Sequence, residues 1–129
     1  MKYTDENVQK CFATHPEVDM HGLAYIYACQ DRATGIFGFI RMRYWLIGWD
    51  GRKLHLIETT LAGKELSYRS VTREDIESAA VKPRIVNTRI NLKIRNEEMF
   101  RFDATSKVMG LKNQKEHLET ILNILKSSG

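Results

Sequence analysis

Apolar and polar positions alternate with a two-residue period along most of this chain, and the period changes once, near residue 105. Before the alternation begins, Val8, Cys11 and Phe12 fall three and four apart, predicting a short helix over Asp5 to Ala13. Thr4 or Asp5 can cap it, and His15-Pro16 ends it, because a residue before proline disfavours the helical region. Seven strands are then predicted: Leu23 to Gln30, Ile36 to Trp49, Arg52 to Leu61, Glu65 to Val71, Ile76 to Val81, Thr88 to Arg95 and Glu98 to Asp103. Leu23, Tyr25 and Tyr27 share one face of the first, and Ile90, Leu92 and Ile94 one face of the sixth. Asp31 to Gly35 reads as a loop, and Gly38 and Gly48 as sites of a bulge or close packing. The strongest local signal is Asp50-Gly51, between two aromatic and β-branched runs, which suits the central pair of a two-residue hairpin turn. From Val108 the apolar residues Val108, Leu111, Leu118, Ile121, Leu122 and Leu125 trace one stripe of an amphipathic helix, with Thr105 or Ser106 as its cap.

Seven strands and one amphipathic helix can form two packed sheets or a partly open barrel, with the helix over one end or edge. At 129 residues, with no linker, repeat or low-complexity tract, the chain reads as a single domain. Its parts are an N-terminal helical extension (1–16), a β-barrel (23–103) and a capping helix (105–126). A hydrophobic content of 43% and a charged content of 28% fit a globular domain. The net charge of +4 favours an acidic partner. MKYTDENVQK lacks the apolar core of a secretory signal, and no apolar run reaches the roughly 18 residues of a membrane span, so a cytoplasmic setting is expected. In that setting Cys11 and Cys29 are expected as reduced thiols.

The run Arg41-Met42-Arg43-Tyr44-Trp45-Leu46-Ile47, then Asp50-Gly51 and Lys53-Leu54, resembles the second and third strands of pleckstrin-homology domains. Glu74-Asp75-Ile76-Glu77-Ser78, Ile90-Asn91-Leu92-Lys93-Ile94 and Phe100-Arg101-Phe102 are similar to the later part of bacterial pleckstrin-homology-like and GRAM-like domains. The resemblance spans Leu23 to Leu125 through loose patterns, with the N-terminal helix outside it. It implies a seven-stranded, partly open barrel closed by a C-terminal helix. It also implies a binding or assembly role: some relatives take phosphoinositides on the first two strands, and many act through protein contacts. Fold alone does not assign either.

Arg32, Arg41 and Arg43 fit the basic pattern of the lipid-binding members, and residues two apart on a strand share a face. A turn centred on Asp50-Gly51 gives Arg43 an ordinary alternative: it would face Glu58, with Trp45 opposite Leu56 and Ile47 opposite Leu54. Phe37, Phe39, Trp45 and Trp49 share one parity of the long second strand; exposed, they form a surface for a protein partner or a second copy, and buried, they are core. The other parity, Ile40, Met42, Tyr44 and Leu46, is apolar too, so this strand is either covered on both faces or forms an interface.

A second basic run, Lys82, Arg84, Arg89, Lys93 and Arg95, has no intervening acid and could meet phosphates. It has no interleaved aromatics to stack bases, so nucleic acid is not expected. Cys11 and His15 have helical ligand spacing but no closing pair, and His55 and His117 read as structural, so no metal is assigned. No nucleophile elbow, zinc-protease motif, P-loop or dinucleotide fingerprint occurs, and no cofactor is assigned. The expectation is a non-enzymatic module for protein contacts or homo-oligomerisation, with anionic membrane or a phosphoinositide-type headgroup as the alternative partner. A pocket for a small apolar ligand is a third class.

Overall fold

The computed structural model describes residues 3–34, 39–97 and 99–128, with backbone alone at 31–34, 39–41 and 128. Its order is α1 (Asp5–Ala13), β1 (Ala24–Thr34), β2 (Phe39–Trp49), β3 (Lys53–Thr59), β4 (Glu65–Thr72), β5 (Ile76–Pro83), β6 (Thr88–Ile94), β7 (Met99–Ala104) and α2 (Gln114–Ser128). The strands form one antiparallel sheet in the order β4-β3-β2-β1-β7-β6-β5. The sheet bends over itself: the Arg69 guanidinium of β4 lies 5.3 Å from the Phe100 ring of β7, four places along the order. Arg69 also pairs with Glu97 in the β6–β7 turn.

The inner face of the bend is the main core. Trp45, Ile47 and Trp49 of β2 meet Leu54 and Leu56 of β3, Ile90, Leu92 and Ile94 of β6, and Phe100 and Phe102 of β7. Trp45 sets its ring edge against both phenylalanines, with centroids at 5.6 and 5.4 Å, a geometry that the ring quadrupoles favour. Leu118, Ile121 and Leu125 of α2 close this core. The stripe predicted from periodicity is therefore the buried one, but the helix starts at Gln114 rather than at residue 105. Two contacts hold back the chain before it. Gly110, at φ +95°, accepts from the Asp5 N–H, and the Gln114 amide bonds the Tyr27 backbone and the Thr105 carbonyl. Val108 and Leu111 thus pack under α1 rather than along α2.

The outer face of β1–β3 carries a second core. Leu46, Ile57, Leu23 and Tyr25 are covered by Val8 and Phe12 of α1, both fully buried. Thr4 caps α1 by accepting from the Asn7 N–H at 3.2 Å. β2 is therefore covered on both faces from Trp45 to Trp49, and Gly48 shows how closely. A Cβ there would lie 2.9 Å from the Phe12 ring. The bulge expected at Gly38 lies outside the described residues.

Gly48→Ala is expected to push Phe12 off the sheet and cost about 1–3 kcal/mol, as overpacking of a dense core does. Urea unfolding followed by tryptophan fluorescence measures it, and a wild-type midpoint would show that α1 does not rest on Gly48.

Candidate functional site

The β2–β3 turn is displaced by one residue from the expected one. Trp45 faces Glu58, Ile47 faces Leu56 and Trp49 faces Leu54, so Gly51 and Arg52 are central and Asp50 precedes them. Only Gly51 of the turn has a left-handed φ, +93°. The displacement has a chemical cause. Asp50 Oδ1 accepts from the N–H groups of Arg52 and Lys53 at 2.9 and 2.8 Å, and Oδ2 accepts from the Asp19 N–H at 3.2 Å. A carboxylate that organises the turn in this way has to stand before it.

Asp50 Oδ2 also lies 2.7 Å from Nε2 of His55, which is completely buried. On the other side of the ring, Nδ1 is 2.9 Å from the Tyr68 hydroxyl. Tyr68 donates to Glu17 Oε2 at 3.0 Å, and Ser70 donates to the same oxygen at 2.8 Å. A hydrogen-bonded chain thus runs from the hairpin turn through β3 and β4 to the segment joining α1 and β1. Burial alone would raise the Asp50 pKa, but hydrogen bonds from the Lys53 N–H, the His55 ring and the Arg52 and Asp19 N–H groups bring it down to about 2. Burial and the neighbouring Glu17 carboxylate push Tyr68 up to about 12. The hydrogen bonds from Ser70 and Tyr68 lower Glu17. Beside this chain lies a cleft of about 290 Å³ lined by Pro16, Glu17, Asp19, Asp50, Arg52 and Lys53. Both imidazole nitrogens are engaged, so the ring has no free lone pair or proton to offer a substrate.

The predicted site residues are only partly brought together. Arg32 lies in β1, not in a loop, as the backbone partner of Arg41, and Gln30 is the partner of Arg43. The side chains of Arg32, Arg41 and Phe39, and all of Phe37, lie outside the described residues. Arg43 grips Glu58 with two bonds of 2.8 Å and stacks over Trp45 at 4.8 Å. The ion pair expected for it therefore exists as a diagonal contact, not a directly opposed one. Trp45 and Trp49 are buried at 2% and 7% exposure, which places them in the core rather than on a partner surface. The alternate face of β2 is likewise filled at Leu46, by α1.

In the second basic run, Arg89 pairs with Asp103 at 2.9 Å, Lys93 approaches Glu77 at 3.7 Å, and Arg95 donates to the Glu74 carbonyl. Lys82 and Arg84 have no ion pair among the described residues. Between them and Arg89, at the β5–β6 turn, stand Ile85 and Val86, at 103% and 76% exposure. The sequence showed these cations but not the exposure of the two aliphatics. His15 stacks on Tyr68 at 3.7 Å and meets Glu65 at 2.6 Å. Both cysteines are free thiols. Among the described residues no three His, Cys, Asp or Glu side chains converge as metal ligands, and no helix is long and apolar enough to cross a membrane.

Known family models, curated proteins and solved structures were compared with the chain, and none matches.

Asp50 titrates at about 2 in the fold against an ordinary 3.8. Its contribution, roughly 2 kcal/mol, is therefore complete above about pH 4 and is lost as pH falls towards 2. Asp50→Asn should cost about 2–4 kcal/mol near neutrality, because an amide nitrogen in place of one carboxylate oxygen cannot accept the bonds made there, and should flatten the acid limb of stability. Urea unfolding at a series of pH values checks both, and an unchanged acid limb in the variant would remove Asp50 from this role.

Proposed function

We propose that this chain is a non-enzymatic binding module of pleckstrin-homology-like architecture that docks on anionic membrane through the β5–β6 turn. The observation that carries the reading is the exposed Ile85-Val86 pair preceded by Lys82 and Arg84, which have no ion pair among the described residues. In water, two adjacent exposed aliphatics at a hairpin tip gain nothing from burial. In a bilayer interface each could recover a part of the roughly 1.5–3 kcal/mol that burial of such a side chain gives. Each nearby Lys or Arg adds about 1 kcal/mol against an anionic surface. Reversible membrane binding commonly needs two such signals together, and this turn has both. Lys82 is moreover the direct cross-strand partner of Arg89. Asp103 meets the charge of Arg89, which leaves the charge of Lys82 for a partner.

The strand order and the closing α2 support the architectural part of the proposal. A second reading rests on the backbone register that sets Arg32 opposite Arg41, two residues from Arg43. That cluster stands at the other end of the sheet, because Thr88 pairs with Ala104 and Cys29 with Asp103, whereas Thr34 pairs with Phe39. One flat membrane therefore separates the two readings. A protein partner or a second copy stays compatible with a binding module, but not through Trp45, Trp49 or Leu46, which are enclosed.

Sedimentation with vesicles of neutral lipid, and of the same lipid with added phosphatidylserine, tests the choice. Binding is expected only to the anionic vesicles and is expected to fall with salt. Lys82→Glu with Arg84→Glu should weaken it about tenfold or more, and Ile85→Ser with Val86→Ser comparably. Arg41→Glu should have little effect. Loss with Arg41→Glu alone would move the contact to β1–β2, and no binding to either vesicle would reject the membrane reading.

A further inference from the structure

The protons in the chain Asp50–His55–Tyr68–Glu17 can be counted. Asp50 is a carboxylate and only accepts, so Nε2 of His55 carries a hydrogen towards it. Glu17 is a carboxylate as well, and Tyr68 gives its single proton to it. The Tyr68 oxygen is then an acceptor towards His55, 2.9 Å away, so Nδ1 must also carry a hydrogen. Both bonds of Tyr68 are made together only when the buried ring is an imidazolium.

We propose that this chain of four side chains is a pH-sensitive latch, which holds the segment between α1 and β1 against the sheet while His55 carries both ring protons and loosens it when one is lost. Asp50 retains the Nε2 proton, so Nδ1 is the one that deprotonates. Tyr68 then turns its hydrogen to the bare Nδ1, and its oxygen faces the Glu17 carboxylate with no proton between them. Ser70 alone still holds Glu17. The remaining ionisable groups around the latch are Asp19, Arg52 and Lys53 at the cleft, and His15 with its partner Glu65 beside Tyr68. The segment that would loosen follows α1 directly, whose Val8 and Phe12 cover Leu46 and Ile57.

Two readings across about pH 5 to about pH 9 test it: nitrogen-15 shifts of the His55 ring, and amide hydrogen exchange of residues 15–22 corrected for intrinsic rates. The ring is expected to carry both protons at the acid end, and protection of the segment to fall roughly tenfold, the worth of one charge-assisted hydrogen bond, in step with loss of the Nδ1 proton. Glu17→Gln should abolish the step, because a glutamine amide can donate to the Tyr68 oxygen once Tyr68 has turned. His15→Gln should leave the step in place. A His55 ring that is neutral at the acid end, or a step that disappears with His15→Gln and persists with Glu17→Gln, would overturn the proposal.

Discussion

A strand that is apolar on both faces has to be covered twice, and β2 sets this condition for the whole molecule. Trp45, Ile47 and Trp49 draw one half of the sheet over the other, and α2 closes what the bend leaves open. Leu46, with Ile57 of the neighbouring strand, requires a second layer, and α1 supplies it. An isolated nine-residue helix is unstable in water, so α1 exists because it is docked. Its docking is specific: Phe12 stands on the bare backbone of Gly48, and Thr4 fixes its first turn. Both helices therefore follow from one strand's composition, although they lie at opposite ends of the chain.

That dependence explains what the sequence made legible. Apolar runs between turn residues placed all seven strands, and the i, i+3, i+4 spacing placed α1 over the residues observed. The requirement that β2 be covered or form an interface was also visible. Errors arose where one side chain overrode a local preference. Asp50-Gly51 is a good central pair for a turn, yet the carboxylate is recruited by two turn N–H groups and by a histidine five residues on, which moves the turn by one. Helical periodicity from Val108 competes with Gly110, whose left-handed φ and tie to Asp5 end any helix there. Asp5 lies far from Gly110 in the chain, so no local window of sequence contains that competition.

The site was less legible than the fold for a related reason. Candidate residues were chosen by type, whereas their availability depends on contacts. Arg43 is basic and well placed, but Glu58 and Trp45 occupy it. Trp45 and Trp49 could have been exposed or buried on parity alone, and the bend of the sheet decides for burial. His55 had a structural reading, but nothing near it in sequence indicated Tyr68 or Glu17. In the second basic run the sign of the charge was plain. Which cations lack an acid could be settled only by the register that brings Asp103 beside Arg89 and leaves Lys82 without one among the described residues.

The buried His55–Asp50 pair bears on the double cover of β2 as well. A hydrogen-bonded polar pair withdrawn from water gains little net stability over an apolar pair of the same shape, because desolvation offsets most of the attraction. Here it also performs a task that apolar residues could not. Through Tyr68 it reaches Glu17, an exposed residue in a stretch with few buried anchors, Val18 and Leu23 among them. Aliphatic residues at 50, 55 and 68 could fill the same volume, but the segment from Thr14 to Gly22 would then be left with the His15–Glu65 and Ser70–Glu17 bonds to the sheet. α1 would keep Phe12 on Gly48 and lose part of the hold beyond its C-terminus. The polar chain is thus one means by which the β2–β3 turn, the first element that the sequence announces, fixes the outer layer that the same hairpin requires.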